Sequence, residues 1–157
     1  KKGDFDSIVD PSKNHWDIVT NWHFNRVTNL YLTLNRPEFE NLHLGSSQGL
    51  YCLINIGDNN SDKKDEIALV VDHLDISNLN SCKIFSICDG EWKLLKEFGV
   101  NENSFNYTDK KPKVFSEIKN YLEYKDNNWL YKDYQLTEFM NPDTIVQMEK
   151  LKLNKCN

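Results

Sequence analysis

Between Leu50 and Asp72, two apolar runs, Leu50–Ile56 and Ile67–Val71, flank a dense loop of Asp, Asn, Ser and Lys. Runs of this composition are strands buried on at least one face, so the loop must be a tight turn stabilised by its own side chains. The two runs are therefore expected to lie as adjacent antiparallel strands at the centre of a β-rich fold. Chemically suggestive residues recur at every second loop position: Asp58, Asn60 and Asp62, then Lys64 and Glu66. Such spacing either wraps a hard cation or hydrogen-bonds its own backbone.

The rest of the chain supports a mainly β (β-rich α+β) reading, an antiparallel sheet of successive hairpins, blade-like or sandwich-like in layering. His15–Phe24 alternates as a strand, and Val27–Leu34 follows it, hairpinned around Asn25-Arg26 and stopped by Arg36-Pro37. A short strand is expected at Asn41–Leu44. The plainest hairpin is Cys82–Cys88, Asp89-Gly90, Glu91–Phe98, because both turn residues accept positive φ. Its two-residue loop pairs Cys88 with Glu91, Ile87 with Trp92 and Phe85 with Leu94, and sends Trp92, Leu94 and Phe98 to the face of Phe85 and Ile87. A second hairpin runs Tyr121–Lys125, Asp126-Asn127-Asn128, Trp129–Tyr134. It echoes the first at a spacing of 37 residues (Asp89 to Asp126), which raises the alternative of a repeat architecture. Helices are expected near 114–121, with Val114, Ile118, Tyr121 and Leu122 on one face, and near 142–153. The second opens at Asn141-Pro142-Asp143, where cap, first-turn proline and dipole-favoured acid coincide.

With 157 residues, the chain suits a single domain, 1–157, large enough to bury a core. Residues 1–13 read as a loosely tied arm, and 142–157 as the C-terminal helix and tail. Glycines number only 6, so Asn and Asp must make most turns. The net charge of −5 and the lack of a basic stripe argue against nucleic acid as a partner. No apolar run reaches the length of a membrane span. The opening Lys1-Lys2 suits a mature exported chain or a trimmed one; a periplasmic or otherwise exported location is expected, with the cytoplasm as the alternative.

Cys52, Cys82, Cys88 and Cys156 contain no C-x-x-C pair, which argues against a zinc knuckle or a dithiol redox motif. Cys82 and Cys88 lie about 20 Å apart on one extended strand and cannot pair there. Cys52 could pair with either across a sheet; equally, all three could be small buried hydrophobes in a reducing compartment.

The segment Gly57-Asp58-Asn59-Asn60-Ser61-Asp62-Lys63-Lys64-Asp65-Glu66-Ile67-Ala68 resembles one repeat of the FG-GAP/VCBS family. That family's pattern is Gly-Asp-x-Asn-x-Asp-Gly-x-x-Asp/Glu-hydrophobic between two strands. The resemblance covers only this loop and its flanks. It implies a calcium site with side-chain oxygens from Asp58, Asn60 and Asp62, the Lys64 carbonyl, and the closing Glu66 carboxylate. An EF-hand does not fit, because the twelfth position from Asp58 is Leu69, where that loop needs a bidentate Glu. Lys63 stands where the family has Gly, so an L-residue must take a left-handed conformation, and two ammonium groups oppose a cation. The metal-free alternative is a loop whose Asp58 and Asp62 accept backbone N–H bonds.

Gly45-Ser46-Ser47-Gln48-Gly49 matches G-x-S-x-G, but a nucleophile elbow needs a helix after it, and Leu50–Ile56 reads as strand. Asp65 and Glu66 point to opposite sides of a strand start and make no acid–base dyad. The aromatics Tyr124, Trp129, Tyr131 and Tyr134, too many to bury on one hairpin face, are candidate partner-binding residues, with Trp129 equally suited to the core. In general character, the small, acidic, Asn/Lys-rich, β-rich chain resembles bacterial toxin-immunity proteins. That likeness implies a non-catalytic protein that masks a protein partner, such as a basic toxin domain, by complementary charge. The alternatives are a calcium-stabilised exported or envelope module of FG-GAP/VCBS type and a small hydrolase using Ser47 or the carboxylates.

Overall fold

The computed structural model describes residues 29–46, 49–72, 78–105, 115–140 and 146–156. The expected arm, the His15–Phe24 strand and its hairpin at Asn25-Arg26 lie outside these residues, as does Ser47. The described chain is mainly β. Strands β1 (Asn29–Leu32) and β2 (Leu42–Ser46) form a pair; β3 (Gly49–Gly57), β4 (Glu66–Asp72), β5 (Leu79–Cys88) and β6 (Glu91–Asn101) form a four-stranded meander in that order. Strands β7 (Leu122–Lys125), β8 (Asn128–Tyr131) and β9 (Glu149–Lys150) form a third sheet, and all pairings are antiparallel.

The apolar runs flanking the 58–66 loop become β3 and β4, as expected, and β4 is buried on both faces. Ala68 and Val70 face one core with Cys52, Ile54, Cys82, Ile84, Phe98 and Val100, which Ile118, Leu122, Trp129 and Leu151 cover from the third sheet and its flanks. Leu69 and Val71 face the other way with Phe85, covered by Leu30, Leu32, Leu42 and Leu44 of β1 and β2. The meander is thus the middle of three layers, which is why β4 reads as a nearly continuous apolar run.

The Asp89-Gly90 hairpin has the expected register, Cys88 with Glu91, Ile87 with Trp92 and Phe85 with Leu94, and its turn residues have φ of 54° and 90°. The face assignment needs correction. A bulge follows, with Ile84 pairing Lys96, so Leu95 is the extra residue and side-chain parity inverts beyond it. Phe98 therefore sits opposite Cys82 in the other core, while Leu94 is 45% exposed. The Asp126-Asn127 turn also has two positive φ values, 51° and 59°, and joins β7 to β8. The two hairpins lie in different sheets and share the positive-φ turn chemistry.

Neither expected helix is seen in the described residues. Over 115–121 the chain makes a tight turn in which Ile118 and Leu122 exchange backbone bonds, each 2.8 Å, with Asn120 at φ 69°. The four-residue spacing that suggested a helical face instead brings Ile118 and Leu122 into one core across this turn. Of 142–153, residues 142–145 lie outside the description, 146–148 are irregular, and Glu149–Lys150 add to β8 as strand β9. Leu151 N–H then donates to Trp129 O at 2.8 Å. Leu151 is buried and Lys152 exposed, with Leu153 half-buried, a period of two in place of the helical one.

Candidate metal centre

Gly57 ends β3 at a bulge with φ of 68°, a conformation that favours glycine, and turns the chain into the loop. The loop then folds on its own side chains. Asp58 accepts the Asp62 N–H on Oδ1 at 2.9 Å and the Lys63 N–H on Oδ2 at 3.0 Å. Asn60 Oδ1 shares the Asp62 N–H at 3.0 Å, and Asp62 Oδ1 accepts from Lys64 N–H at 3.0 Å. Ser61 and Lys63 take positive φ, 60° and 72°, so Lys63 adopts the left-handed conformation that the glycine of the family pattern would supply.

Glu66, the first residue of β4, is fully buried, and its Oε2 accepts the Asn59 N–H at 2.9 Å. Among the described residues its Oε1 has no hydrogen-bond partner, and neither has the buried Ser86 hydroxyl. The β4–β5 register runs from Ile67 with Phe85 to Val70 with Cys82, and Glu66 and Ser86 lie just beyond its first pair. Burial raises the Glu66 pKa, and the negative charges of Asp62 and Asp58 push it further up against the lowering pull of the Asn59 and, more weakly, the Asn60 N–H. Asp62 is lowered, chiefly by the N–H of Cys156, with help from Asn60, Lys64 N–H and the Lys64 charge.

One carboxylate oxygen each from Asp58, Asp62 and Glu66 lies within 4.8 Å of the others. Two oxygens on a single calcium, at 2.3–2.6 Å each, are at most about 5 Å apart, so this spread suits a hard divalent cation. The donor set fits as well: all are oxygens, and one belongs to a buried acceptor with nothing to accept. Of the five expected ligands, the fold brings three carboxylates together and ties Asn60 to them through Asp62. Lys64 enters through its N–H.

What the sequence reading missed is the C-terminal tail, which lies across this loop. Asn60 Nδ2 donates to Asp62 Oδ2 at 3.0 Å and to Asn154 O at 2.9 Å. Cys156 N–H donates to the same Asp62 oxygen at 2.9 Å, and Lys155 Nζ to Ser61 O at 3.1 Å. Cys156 is held by a disulfide to Cys88 across a Cα–Cα distance of 5.2 Å. Cys52 and Cys82 are buried free thiols, and burial pushes Cys52 up to about 12 and Cys82 well above the usual thiol range, so neither is a ready nucleophile. Of the two alternatives, the buried-hydrophobe one holds for Cys52 and Cys82, while Cys88 pairs with Cys156, a partner the sequence reading did not consider. The fourth cysteine, at the chain end, was the available signal.

The four aromatics do not form one exposed face. Tyr124 is 55% exposed and tilts against Trp129. Trp129 is a core residue, and its Nε1 donates to Ile56 O at 2.8 Å. Tyr131 is half-buried beside Phe98 under the Lys96 ammonium, and Tyr134 packs edge-on to Tyr121. No helix among the described residues is long and apolar enough to cross a membrane. Comparison of the chain with protein-family models, with curated proteins and with solved structures gives no match.

Proposed function

We propose that this protein is a calcium-stabilised β-module that acts by binding and not by catalysis, in an exported or envelope setting. The observation that carries the reading is Glu66: a fully buried carboxylate, one oxygen unpartnered, beside two further carboxylates. A cation there supplies what that oxygen lacks and cancels the mutual repulsion of three negative groups. The Cys88–Cys156 disulfide suits an oxidising compartment. Calorimetric titration with calcium chloride, alongside melting curves, tests the proposal. Millimolar calcium should raise Tm; an unchanged midpoint removes the calcium assignment.

A second reading, an immunity-type inhibitor of a protein toxin, draws support from a hollow of about 630 Å³ beside the β5–β6 turn. Leu34, Phe39, Ile67, Ile87 and Trp92 line it, and Arg36, Lys64, Asp65 and Asp89 bring both signs of charge to it. An apolar pocket with charges at hand is the kind of surface where a single anchor side chain from a partner concentrates binding energy. Titration with the product of a neighbouring gene, followed by tryptophan fluorescence, tests it. Failure to form a stable complex with any such product sinks this reading and leaves the first untouched.

A further inference from the structure

We infer that the C-terminal tail is the positioning element of the cation site, and that the Cys88–Cys156 disulfide sets the affinity of that site. The inference rests on the calcium reading and adds its regulation.

A loop rich in carboxylates repels itself, and its ligands must be held inward before an ion arrives. Here the tail does much of the holding. Leu151 is anchored in the core and bonded to Trp129 O, and its carbonyl accepts from Asn59 Nδ2 at 3.5 Å. Asn154 O, Lys155 Nζ and Cys156 N–H then engage Asn60, Ser61 and Asp62 in turn. Each contact joins consecutive loop residues to a segment about 94 positions away, so loop and tail order one another. The Cys156 N–H matters most, because it is the tail's direct bond to the Asp62 carboxylate, one of the three clustered acids, adding to those from Lys64 N–H and Asn60 Nδ2. Beyond Leu151 the described tail residues have no strand pairing, and their last tie to the body is the disulfide to Cys88. Cys88 is the last residue of β5, the strand beside β4. The covalent bond thus closes a ring through β5, the tail and the loop.

Opening that ring is a two-electron step. A dithiol reductant attacks a sulfur of the disulfide as thiolate and forms a mixed disulfide. Its second thiol then displaces the protein sulfur, leaving Cys88 and Cys156 as thiols and the reductant as its own disulfide. Cys156 is only half-buried, so a small reductant can reach it. The freed tail no longer holds Asp62 in place, and the open loop binds calcium more weakly. By reciprocity, bound calcium must make the disulfide harder to reduce by the same factor. A coupling of about tenfold, within the usual range for linked sites, corresponds to about 30 mV for a two-electron couple.

The test uses the full chain and calcium chloride alone. Calcium affinity is measured calorimetrically for the oxidised protein and for Cys88→Ser/Cys156→Ser, with near-UV circular dichroism to check folding. On the wild type, the disulfide is equilibrated against a dithiol buffer with and without calcium, a measurement that needs no variant. About tenfold weaker binding when open, and a potential about 30 mV lower with calcium, is the expected result. Equal affinity and an unmoved potential overturn the coupling while the calcium reading stands. No binding by the oxidised wild type at millimolar calcium overturns the calcium reading and the coupling with it.

Discussion

Glu66→Gln separates the two roles of the carboxylate at the head of β4. In the metal-free protein one Glu66 oxygen is held by Asn59, and the other is buried without a hydrogen-bond partner among the described residues. A buried group left unmatched costs about 1–3 kcal/mol, and more when charged. The amide keeps an oxygen for Asn59 and removes the buried negative charge that stands beside Asp58 and Asp62. The variant should therefore be more stable than wild type in chelator at neutral pH, by about 1–3 kcal/mol. At about 2–4 °C per kcal/mol for a chain of this size, that is a rise in Tm of several degrees. In the same variant, calcium should no longer raise the melting midpoint.

The dependence on pH has a fixed sign. Burial raises the Glu66 carboxyl above its ordinary 4.5. A raised value means the folded protein holds this proton more tightly than the unfolded chain. The favourable contribution is complete below 4.5 and is lost as pH rises through the raised folded-state value. The stability gap between variant and wild type should thus open over that window and close beneath it. Melting curves in chelator across that range measure the gap directly. A Gln variant less stable than wild type at neutral pH, or one whose calcium shift survives, would refute the reasoning.

Lys63→Gly should relieve a left-handed L-residue, with a net gain of up to about 1 kcal/mol after the entropy of glycine is charged against it, and should tighten calcium binding by removing an ammonium group. A lower urea midpoint or weaker binding counts against both effects. Gly99→Ala should destabilise by about 1–3 kcal/mol, since a Cβ there would meet Gln135 N at 2.7 Å and Leu79 Cδ1 at 2.9 Å, and faster amide exchange at Tyr134, whose N–H donates to Gly99 O, should report the displaced segment. Trp129→Phe removes the bond to Ile56 O and should cost about 1–3 kcal/mol by denaturant unfolding; a cost near zero would mean that this indole does not clamp the third sheet to β3.

Features legible in the sequence are those whose cause is local. Asp89-Gly90 reads as a turn because both residues accept positive φ, and a two-residue turn dictates its neighbours' register. The Lys63 conformation was readable because position in the loop demands it whichever residue stands there. The bulge at Leu95 was not, since nothing in Trp92–Phe98 marks one residue as extra, and a single insertion inverts every side chain beyond it. Met148 and Leu151 fit a helical spacing as well as a strand, and what decides between them is pairing with β8 and burial against a distant core. The disulfide spans 68 residues and reflects that same docking.

The tail's hold on the loop was hidden for a further reason: much of it is made by backbone. Leu151 O, Asn154 O and Cys156 N–H would be present whatever side chains those positions carried, so no residue pattern announces them. The sequence signal that does exist points at the loop alone and therefore suggests a self-contained ligand set. The fold divides that set differently. Asp58 is oriented by the loop's own N–H groups, Glu66 is fixed by β4 and by Asn59, and Asp62 is oriented partly from outside by the tail. Of the three carboxylates, Asp62 alone takes one of its hydrogen bonds from the described tail residues, whose hold depends on a bond that a reductant can cut. If so, changes at Asp58 should weaken calcium binding equally in oxidised and reduced protein, whereas Asp62→Asn should abolish the difference between them. Calorimetric titration of both variants in both redox states checks this, and an Asp62→Asn protein that still binds more weakly when reduced would locate the tail's influence elsewhere in the loop.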